Sequence, residues 1–351
     1  MARSVMGKKR ITIADLARES GVSISTVNRI LAGADNVRAA TIEQVQETAH
    51  RIGFYGAGVL TARREGALPH YRFGFLLQQS TRELYRYFGD KIREAAATRR
   101  DERVDCLVDF VDRLEPANIA GRLRALGKEC DAVALIAADH PLIGQAIREL
   151  HDEGTSVVTY ITDQSAPERA AFVGTDNWKL GRTAAFFISQ MARDDGRIAV
   201  FIGNHRYQCQ DVADAAFRSY IREHAPGLIV GESEPTHEDS AQAYTMVREL
   251  IAKHDDVKGI LIVGGGISGV LRALREVPEE RRRQIRVICR DIGPETRKGL
   301  TEGLVTAALC HPLEETSQTL IQTMIDVSQR GTTGPTLQRT VPFEIVTPEN
   351  I

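Results

Sequence analysis

The sequence is poor in cysteine, and its five cysteines include no Cys-x-x-Cys pair. Each thiol lies in or beside an apolar run, so we expect free, buried cysteines. They are Cys106, Cys130, Cys209, Cys289 and Cys310. A disulfide framework and a zinc-binding cluster are therefore not expected, and no metal or other cofactor is predicted.

Long apolar runs are also missing. No stretch approaches 18 consecutive apolar residues, so no membrane-spanning helix and no membrane partner are expected. The first residues lack the apolar core of a secretory signal peptide, which predicts a cytoplasmic protein. The chain has 351 residues, 42% hydrophobic and 26% charged, which is typical of a globular protein of two or three domains.

The net charge of −2 conceals an uneven distribution. Residues 1–64 carry ten lysines and arginines against five acidic residues, so this segment is +5 and the remainder is −7. A basic segment at the start of an acidic chain favours a polyanionic partner for that segment alone.

Two short helices joined by a sharp turn are predicted for residues 12–33. Thr12 can cap the first helix with Asp15 three residues later, and Gly21 suits a turn that requires a positive φ. Ser23 can cap the second helix, and Gly33 can end it. This spacing is typical of a helix-turn-helix, whose second helix must protrude to enter a major groove. A third helix is predicted from about Ala39 to Arg51, with Gly53 ending it.

From Tyr71 onward, near-continuous apolar strands alternate with helices, which predicts an α/β fold with two doubly wound parallel sheets. We expect a three-helix head over residues 1–55, a linker over 56–70 and two lobes over 71–351. The predicted lobes are 71–171 with 311–330, and 172–310 with 331–351. The strand Phe172–Gly174 thus falls in the second lobe, and a single strand is predicted over Val341–Val346.

Taken together, these features resemble the LacI–GalR family of transcription regulators over nearly the whole chain. The most specific stretch is Ile11–Gly53, which includes STVNRIL in the second helix. The lobes are similar to sugar-binding periplasmic proteins, and the sequences VGTDN at Val173–Asn177 and ADHP at Ala138–Pro141 fit that comparison. The resemblance implies a ligand-responsive DNA-binding regulator that is not an enzyme. It further implies a repressor, a homodimer or tetramer, that binds double-stranded DNA and a sugar or related polar metabolite.

The resemblance places helix Ser23–Leu31 in the major groove, with Ile24 and Ser25 as the base-reading pair. Arg29 can pair with guanine and Asn28 with adenine, whereas Ile24 can only make apolar contacts. Hydroxyls near the helix N-termini suit phosphates, and these are Thr12, Ser23 and Thr26.

The linker departs from the family, because its usual Pro-Asn beginning is replaced by Gly56-Ala57. Counting from Phe54, the residue that enters the minor groove falls on Arg63, while Leu60 lies one turn earlier. Either Leu60 is the apolar wedge in a shifted register, or Arg63 enters a narrow minor groove.

Effector residues are predicted at the carboxyl ends of the strands, where open α/β sheets bind ligands. By analogy with sugar-binding proteins, Asp139 and Asp291 would accept hydrogen bonds from hydroxyls, and Tyr85, Phe88 or Trp178 would cover an apolar sugar face. The other candidates are Gln78, His140, Asn177, Arg206, Gln208 and His311. Because either Arg206 or Gln208 can occupy the family's arginine position, the charge of the ligand stays open.

Two competing hypotheses come from the same sequence. Gly264, Gly266 and Gly269 form a Gly-x-Gly-x-x-Gly pattern between a strand and a helix, and Asp291 follows the next strand, as in NAD(P)-binding oxidoreductases. The same glycines can instead form a tight turn at the effector site. A sugar-transport protein is the other alternative, but it would require export.

Overall fold

The structure is a computed structural model that describes residues 11–32, 37–57 and 68–351. The predicted end of the second helix at Gly33 and the linker residues Leu60 and Arg63 lie outside the described residues. A helical head and a larger body, formed by Tyr71–Arg99 and Val104–Ile351, are separate compact units.

The head contains α1 (Ile13–Glu19), α2 (Ile24–Ala32) and α3 (Ala39–Ile52). Thr12 and Asp15 form the predicted capping box, in which the Asp15 amide donates to Thr12 Oγ1 and the Thr12 amide donates to Asp15 Oδ2 at 3.0 Å. Gly21 and Gly53 take φ values of +67° and +70°, which confirms the predicted turn and helix end. Local chemistry therefore determines the helix boundaries in this unit.

A small apolar core joins the three helices. Leu16 of α1, Val27 of α2 and Val45 of α3 are fully buried, and Phe54 closes the core just after α3. Gln44 adds a polar link, because its Nε2 donates to the Ser20 carbonyl at 2.9 Å. These contacts hold α2 against its neighbours through its apolar side.

The first sheet of the body has the strand order β2-β1-β3-β4-β5-β11, and the pairings from β1 to β11 are parallel. Helices α4 and α13 cover one face, and α5 and α6 cover the other. The elements are β1 (His70–Gln78), α4 (Glu83–Ala97), β2 (Arg103–Val111), α5 (Pro116–Gly127), β3 (Ala132–Leu135), α6 (Pro141–Asp152), β4 (Ser156–Tyr160), β5 (Ala171–Thr175), α13 (Leu313–Arg330) and β11 (Leu337–Val341).

The second sheet has the order β7-β6-β8-β9-β10-β12 and is parallel except for the antiparallel pair β10–β12. Helices α7 and α8 cover one face, and α9, α10 and α12 the other. The elements are α7 (Asn177–Met191), β6 (Gly196–Ile202), α8 (Gln208–His224), β7 (Leu228–Pro235), α9 (Ser240–Lys253), β8 (Val257–Ile262), α10 (Ile267–Arg275), α11 (Glu279–Arg282), β9 (Arg286–Arg290), α12 (Pro294–Thr301), β10 (Ala307–Cys310) and β12 (Glu344–Val346).

The chain passes between the two lobes three times: at Asp176, at 311–312 and at 342–343. The predicted lobe boundaries need correction here. Strand β5 pairs with β4 in the first sheet, and the predicted strand Val341–Val346 is two strands, β11 in the first sheet and β12 in the second. Pairing partners rather than the local apolar pattern decide which sheet receives a short strand.

Gly269 marks the tightest crossing in the second lobe. It lies in α10 where a methyl group would overlap the Ser240 carbonyl oxygen at the start of α9. Gly121, which lies in α5, has no atom close to the position of a Cβ. Alanine substitutions at these two glycines therefore distinguish the effect of helix propensity on stability from the effect of helix packing.

We expect Gly269→Ala to destabilise the protein by about 1–3 kcal/mol or more, because the added methyl forces α9 and α10 apart. The control Gly121→Ala should be more stable by about 0.5–1 kcal/mol, as alanine is the better helix former. Thermal unfolding followed by circular dichroism measures both changes. Equal effects of the two substitutions would contradict the close helix crossing.

Candidate functional site

The outer face of α2 carries the side chains predicted to read DNA. Ile24, Ser25, Asn28 and Arg29 are exposed, whereas Val27 and Ile30 are buried. Ile24 is 51% exposed. The face is thus mostly polar, with one apolar side chain at the beginning of the helix.

Hydroxyl groups organise the N-terminus of α2. Ser23 Oγ accepts from the Thr26 amide at 3.1 Å, as predicted for the cap, and lies 2.8 Å from Thr26 Oγ1. The Arg29 guanidinium donates to Thr26 Oγ1 at 3.4 Å, a long bond that a stronger acceptor could replace. A helix N-terminus with several exposed or half-buried hydroxyls and a nearby arginine suits phosphate contact and base recognition.

The body has a cavity of about 470 Å³ between the carboxyl ends of the two sheets. This volume lies within the range of about 300–1,000 Å³ that small-molecule sites occupy. Its wall combines apolar side chains such as Phe88 and Ile136 with charged ones. The acidic, arginine and histidine side chains in the wall are Arg82, Glu83, Glu238, Arg290, Asp291, Glu295 and His311.

A chain of hydrogen bonds joins Arg290, His311 and Asp291. Arg290 Nη2 donates to His311 Nε2, and His311 Nδ1 lies 2.7 Å from Asp291 Oδ1. Because a guanidinium can only donate, Nε2 must accept, so the imidazole is neutral and its Nδ1–H donates to the carboxylate. The His311 amide donates to the same carboxylate oxygen at 2.8 Å.

The pKa values of this group follow from burial and neighbouring charge. Burial and the positive charge of Arg290 lower the pKa of His311, against the opposing effect of Asp291. Burial alone would raise the pKa of Asp291, but its bonds with His311 and the charge of Arg290 hold that pKa at about 2. The group is therefore a carboxylate, a neutral imidazole and a guanidinium at neutral pH.

Three of the nine predicted effector residues line the cavity: Tyr85, Asp291 and His311. Gln78 lies behind them, where its Oε1 accepts from the Tyr85 hydroxyl at 3.0 Å and from the Tyr207 hydroxyl at 3.1 Å. Gln78 thus supports the wall and links the two lobes.

The other five predicted effector residues, like Gln78, lie outside the cavity wall. Asp139 accepts from Gln208 Nε2 at 3.3 Å, and its amide donates to the Arg206 carbonyl at 2.7 Å, because the loop after β3 packs directly on the start of α8. These three residues hold the lobes together. His140 caps α6, accepting from the Leu142 amide at 3.2 Å, and Asn177 accepts from Thr175 Oγ1 at 3.5 Å.

Of the aromatic candidates, Phe88 lines the cavity together with Tyr85, whereas Trp178 does not. Trp178 is 48% exposed at the start of α7.

Sequence reasoning missed Arg82, Glu238 and Arg290. Arg82 forms an ion pair with Glu238 across the two lobes. Strand β7 extends to Pro235, past its apolar residues, and this brings Glu238 close to a strand end. Arg290 could have been found from the sequence, because it is a charged residue at the end of the apolar strand β9.

The Gly-x-Gly-x-x-Gly pattern has a packing explanation. A methyl group at Gly264 would overlap the Gly203 amide, Gly266 takes a φ of +95°, and Gly269 allows α9 and α10 to cross. The Glu238 carboxylate occupies the space in front of Gly265, so an approaching pyrophosphate would meet a negative charge. Gly264 and Gly266 line the cavity, as the tight-turn interpretation predicts.

Two predominantly parallel sheets with a cavity between their carboxyl ends define a periplasmic-binding-protein-like domain, here combined with a helix-turn-helix head. The family description "Periplasmic binding protein domain" matches residues 73–333, and "Bacterial regulatory proteins, lacI family" matches residues 12–56. The chain therefore belongs to the LacI family and is a ligand-responsive, DNA-binding transcription regulator.

Solved structures share the fold of the body at low sequence identity. GanP, a glucose-galactose binding protein from Geobacillus stearothermophilus, is 19% identical with a TM-score of 0.72, covering 80% of this chain and 99% of GanP. A solute-binding protein from Burkholderia graminis in complex with D-arabinose is 18% identical (TM-score 0.71; 80% and 96% covered). A solute-binding protein from Bacillus halodurans with bound myo-inositol is 17% identical, with a TM-score of 0.69, covering 81% of this chain and 97% of that protein. A search of curated proteins finds no significant match.

Residues 11–32, 37–57 and 68–351 include no helix that is both long and apolar enough to cross a membrane. They contain no cluster of three or more histidine, cysteine or acidic side chains that could hold a metal ion.

The neutral state of His311 predicts a pH dependence of stability. In the unfolded chain this histidine takes up a proton below about pH 6.5, whereas in the folded protein its pKa is lower. Stability should therefore fall as pH decreases below that value, by at most about 1.4 kcal/mol per pH unit. Thermal unfolding between pH 7.5 and 5.5 should show a smaller decrease for His311→Gln than for the wild type.

The exposed His205 provides the control, and His205→Gln should keep the wild-type dependence. Parallel pH profiles for the wild type and His311→Gln would show that His311 does not carry this effect.

Proposed function

We propose that this regulator is a homodimeric repressor whose two heads read the half-sites of a near-palindromic operator. A two-fold symmetric dimer presents two copies of α2, which matches the symmetry of a palindrome. A tetramer would keep the same dimer as its DNA-binding unit. The linker, through Leu60 or Arg63, would contact the minor groove, and the effector would change the affinity for the operator.

The face of α2 supports base recognition by a small set of side chains. Arg29 and Asn28 can make bidentate contacts with guanine and adenine, and Ile24 can contact a thymine methyl. Ser25 can serve either a base or a phosphate, and Thr12, Ser23 and Thr26 are placed for phosphates. All of these side chains except Thr26, which is half-buried, are exposed.

Substituting Arg29→Ala should weaken operator binding by about 1–3 kcal/mol and relax specificity at one base pair. Mobility-shift titrations with the DNA upstream of the chain's own coding region, and with single-base variants of the operator, measure both effects. The control Arg51→Ala removes the same charge from an exposed position on α3. A similar loss in both variants, without relaxed specificity, would mean that Arg29 contributes only general electrostatic attraction.

We further propose that the cavity binds a neutral sugar or polyol, and the charges of its wall carry this proposal. Four carboxylates oppose two arginines, and His311 is neutral, so the wall carries a formal charge of −2. An anionic ligand would be repelled. Hydroxyl groups can instead donate to Asp291 and accept from Arg290, while Phe88 and Tyr85 offer an apolar surface.

The similar solved structures guide the choice of ligands to test, because they name glucose, galactose, arabinose and myo-inositol. A thermal-shift screen should find stabilisation by at least one of these four compounds, amounting to about 2.7 kcal/mol at a hundredfold excess over Kd. Gluconate, glucose 6-phosphate and NAD should produce no shift. Stabilisation by NAD would instead favour the dinucleotide alternative.

Asp291→Asn should abolish the shift caused by the active sugar and the change in operator binding that this sugar causes, while operator affinity without sugar stays unchanged. Asparagine tolerates the positive φ of +62° at this position, so the backbone should be preserved. Asp139→Asn is the matched control, since Asp139 lies outside the cavity wall and should keep the response. If Asp139→Asn abolished the response and Asp291→Asn kept it, the sugar site would instead lie at Asp139.

A further inference from the structure

Arg290 touches two of the three segments by which the chain passes between the lobes. It ends strand β9 of the second lobe, and its Nη2 donates to Thr175 Oγ1 at 2.7 Å. Thr175 is the last residue of β5 in the first lobe, directly before the first crossing. The same nitrogen donates to His311, which lies in the second crossing. One guanidinium therefore connects both crossings to the second lobe.

The hydrogen bonding of Arg290 is incomplete. The side chain is more than nine-tenths buried and lines the cavity, yet Nη1 is without a hydrogen-bond partner among the described residues. Its Nε lies 3.9 Å from Asp291 Oδ2, too far for a hydrogen bond. A buried guanidinium nitrogen without a partner is unfavourable, so Nη1 would bind an acceptor oxygen strongly. Because Nη1 exposes less than 1 Å² of accessible surface, an oxygen from the cavity reaches it only when the guanidinium moves.

Thr175 extends the network without reaching the cavity wall. Its hydroxyl accepts from Arg290 and donates to Asn177 Oδ1 at 3.5 Å, on the far side of the first crossing. Asn177, a predicted ligand residue, is thus connected to the cavity only through Thr175 and Arg290 within this network. Thr175 can therefore be changed without removing a group that faces the effector.

We propose that Arg290 transmits occupancy of the cavity to the hinge between the lobes. The proposal rests on the proposed function of the cavity as the effector site. To bond to Nη1, a ligand oxygen must move the guanidinium plane, and this plane determines whether Nη2 can reach Thr175 and His311 together. Because a guanidinium is rigid and planar, binding at one nitrogen constrains the other. Arg290 contacts the effector, and Thr175 is a positioning residue that connects it to the first crossing.

The test uses Thr175→Val, which removes the acceptor hydroxyl at nearly constant volume. Thr323→Val is the matched control, because Thr323 is a buried threonine in α13 whose hydroxyl also accepts from an arginine, Arg339 Nη1, at 3.2 Å. The full-length chain is used for each variant. Glucose, galactose, arabinose and myo-inositol serve as the probes.

The first measurement is the ratio of the operator affinities with and without each probe, written as the larger value divided by the smaller. The affinity of the free protein for that probe is measured as well. For the active probe, we expect Thr175→Val to reduce this ratio at least about tenfold, or to 1 where the wild-type ratio is below about ten, since a coupling of 1–3 kcal/mol corresponds to about 5–150-fold. Probe affinity should stay within about threefold of the wild type, a change of less than about 0.7 kcal/mol. Thr323→Val should retain the wild-type ratio. An unchanged ratio in Thr175→Val overturns the proposal.

The second measurement needs no probe. Amide hydrogen exchange should become faster in Thr175→Val at both crossings, around residues 175–177 and around residues 310–312, because one guanidinium holds both. The control should leave exchange at both segments unchanged. Faster exchange confined to the first crossing would show that Thr175 acts locally and overturns the proposal.

The two measurements separate this proposal from the proposed function. If none of the four probes alters operator binding by the wild type, the assignment of the cavity to these sugars is wrong. Hydrogen exchange then still decides the connection made by Arg290, since coordinated loosening of both crossings supports it and unchanged exchange overturns it.

Discussion

The parallel arrangement of both sheets is the constraint on which the rest of the body depends. It brings the carboxyl ends of the strands in each lobe to one edge, and the cavity forms where these edges meet. The backbone is bent most sharply in these places. All five non-glycine residues with positive φ in the described part of the chain follow strand ends near the cavity: Gln79, Ile161, His237, Glu238 and Asp291. For the β-branched Ile161 this conformation is unfavourable, and two hydrogen bonds hold it: the Ile161 amide donates to the Val173 carbonyl, and the Thr162 amide donates to the Tyr160 carbonyl.

The head could be predicted almost completely from sequence, because its structure depends on local chemistry. A capping box at Thr12, a turn at Gly21 and a serine cap at Ser23 each involve residues three positions apart or a single backbone angle. The alternation of strands and helices in the body was predictable for the same reason. In the candidate site, Asp291 and His311 were identified because each directly follows a clear apolar strand, and Tyr85 was identified as an aromatic side chain that could cover an apolar sugar face.

Features that depend on contacts between distant segments could not be predicted. Asp139 and Gln208 carry side chains suited to sugar binding, but the two lobes use them to contact each other. Arg290 looks like a surface charge at the end of a strand until Thr175 and His311 are seen to surround it. The lobe that receives β5 depends on its pairing with β4 and β11, and no pattern within five residues contains that information.

The arrangement of polar contacts also explains why a sequence motif can mislead. Gly264, Gly266 and Gly269 have the spacing of a dinucleotide site, yet each glycine meets a steric requirement of this particular fold. A carboxylate rather than a phosphate lies over their loop. The identity of the neighbouring side chain, Glu238, therefore determines what such a loop can bind.

The threefold passage of the chain between the lobes has a consequence for biosynthesis. The first sheet lacks its edge strand β11, and one of its faces lacks helix α13, until residues 313–341 have left the ribosome. During translation of the second lobe, Phe73, Phe75 and Tyr160 would stay partly uncovered, because α13 packs against the same apolar cluster. Part of the apolar core of the first lobe therefore stays exposed during nearly the entire synthesis of the second lobe. Transiently exposed apolar surface of this kind is prone to aggregation and is what chaperones protect.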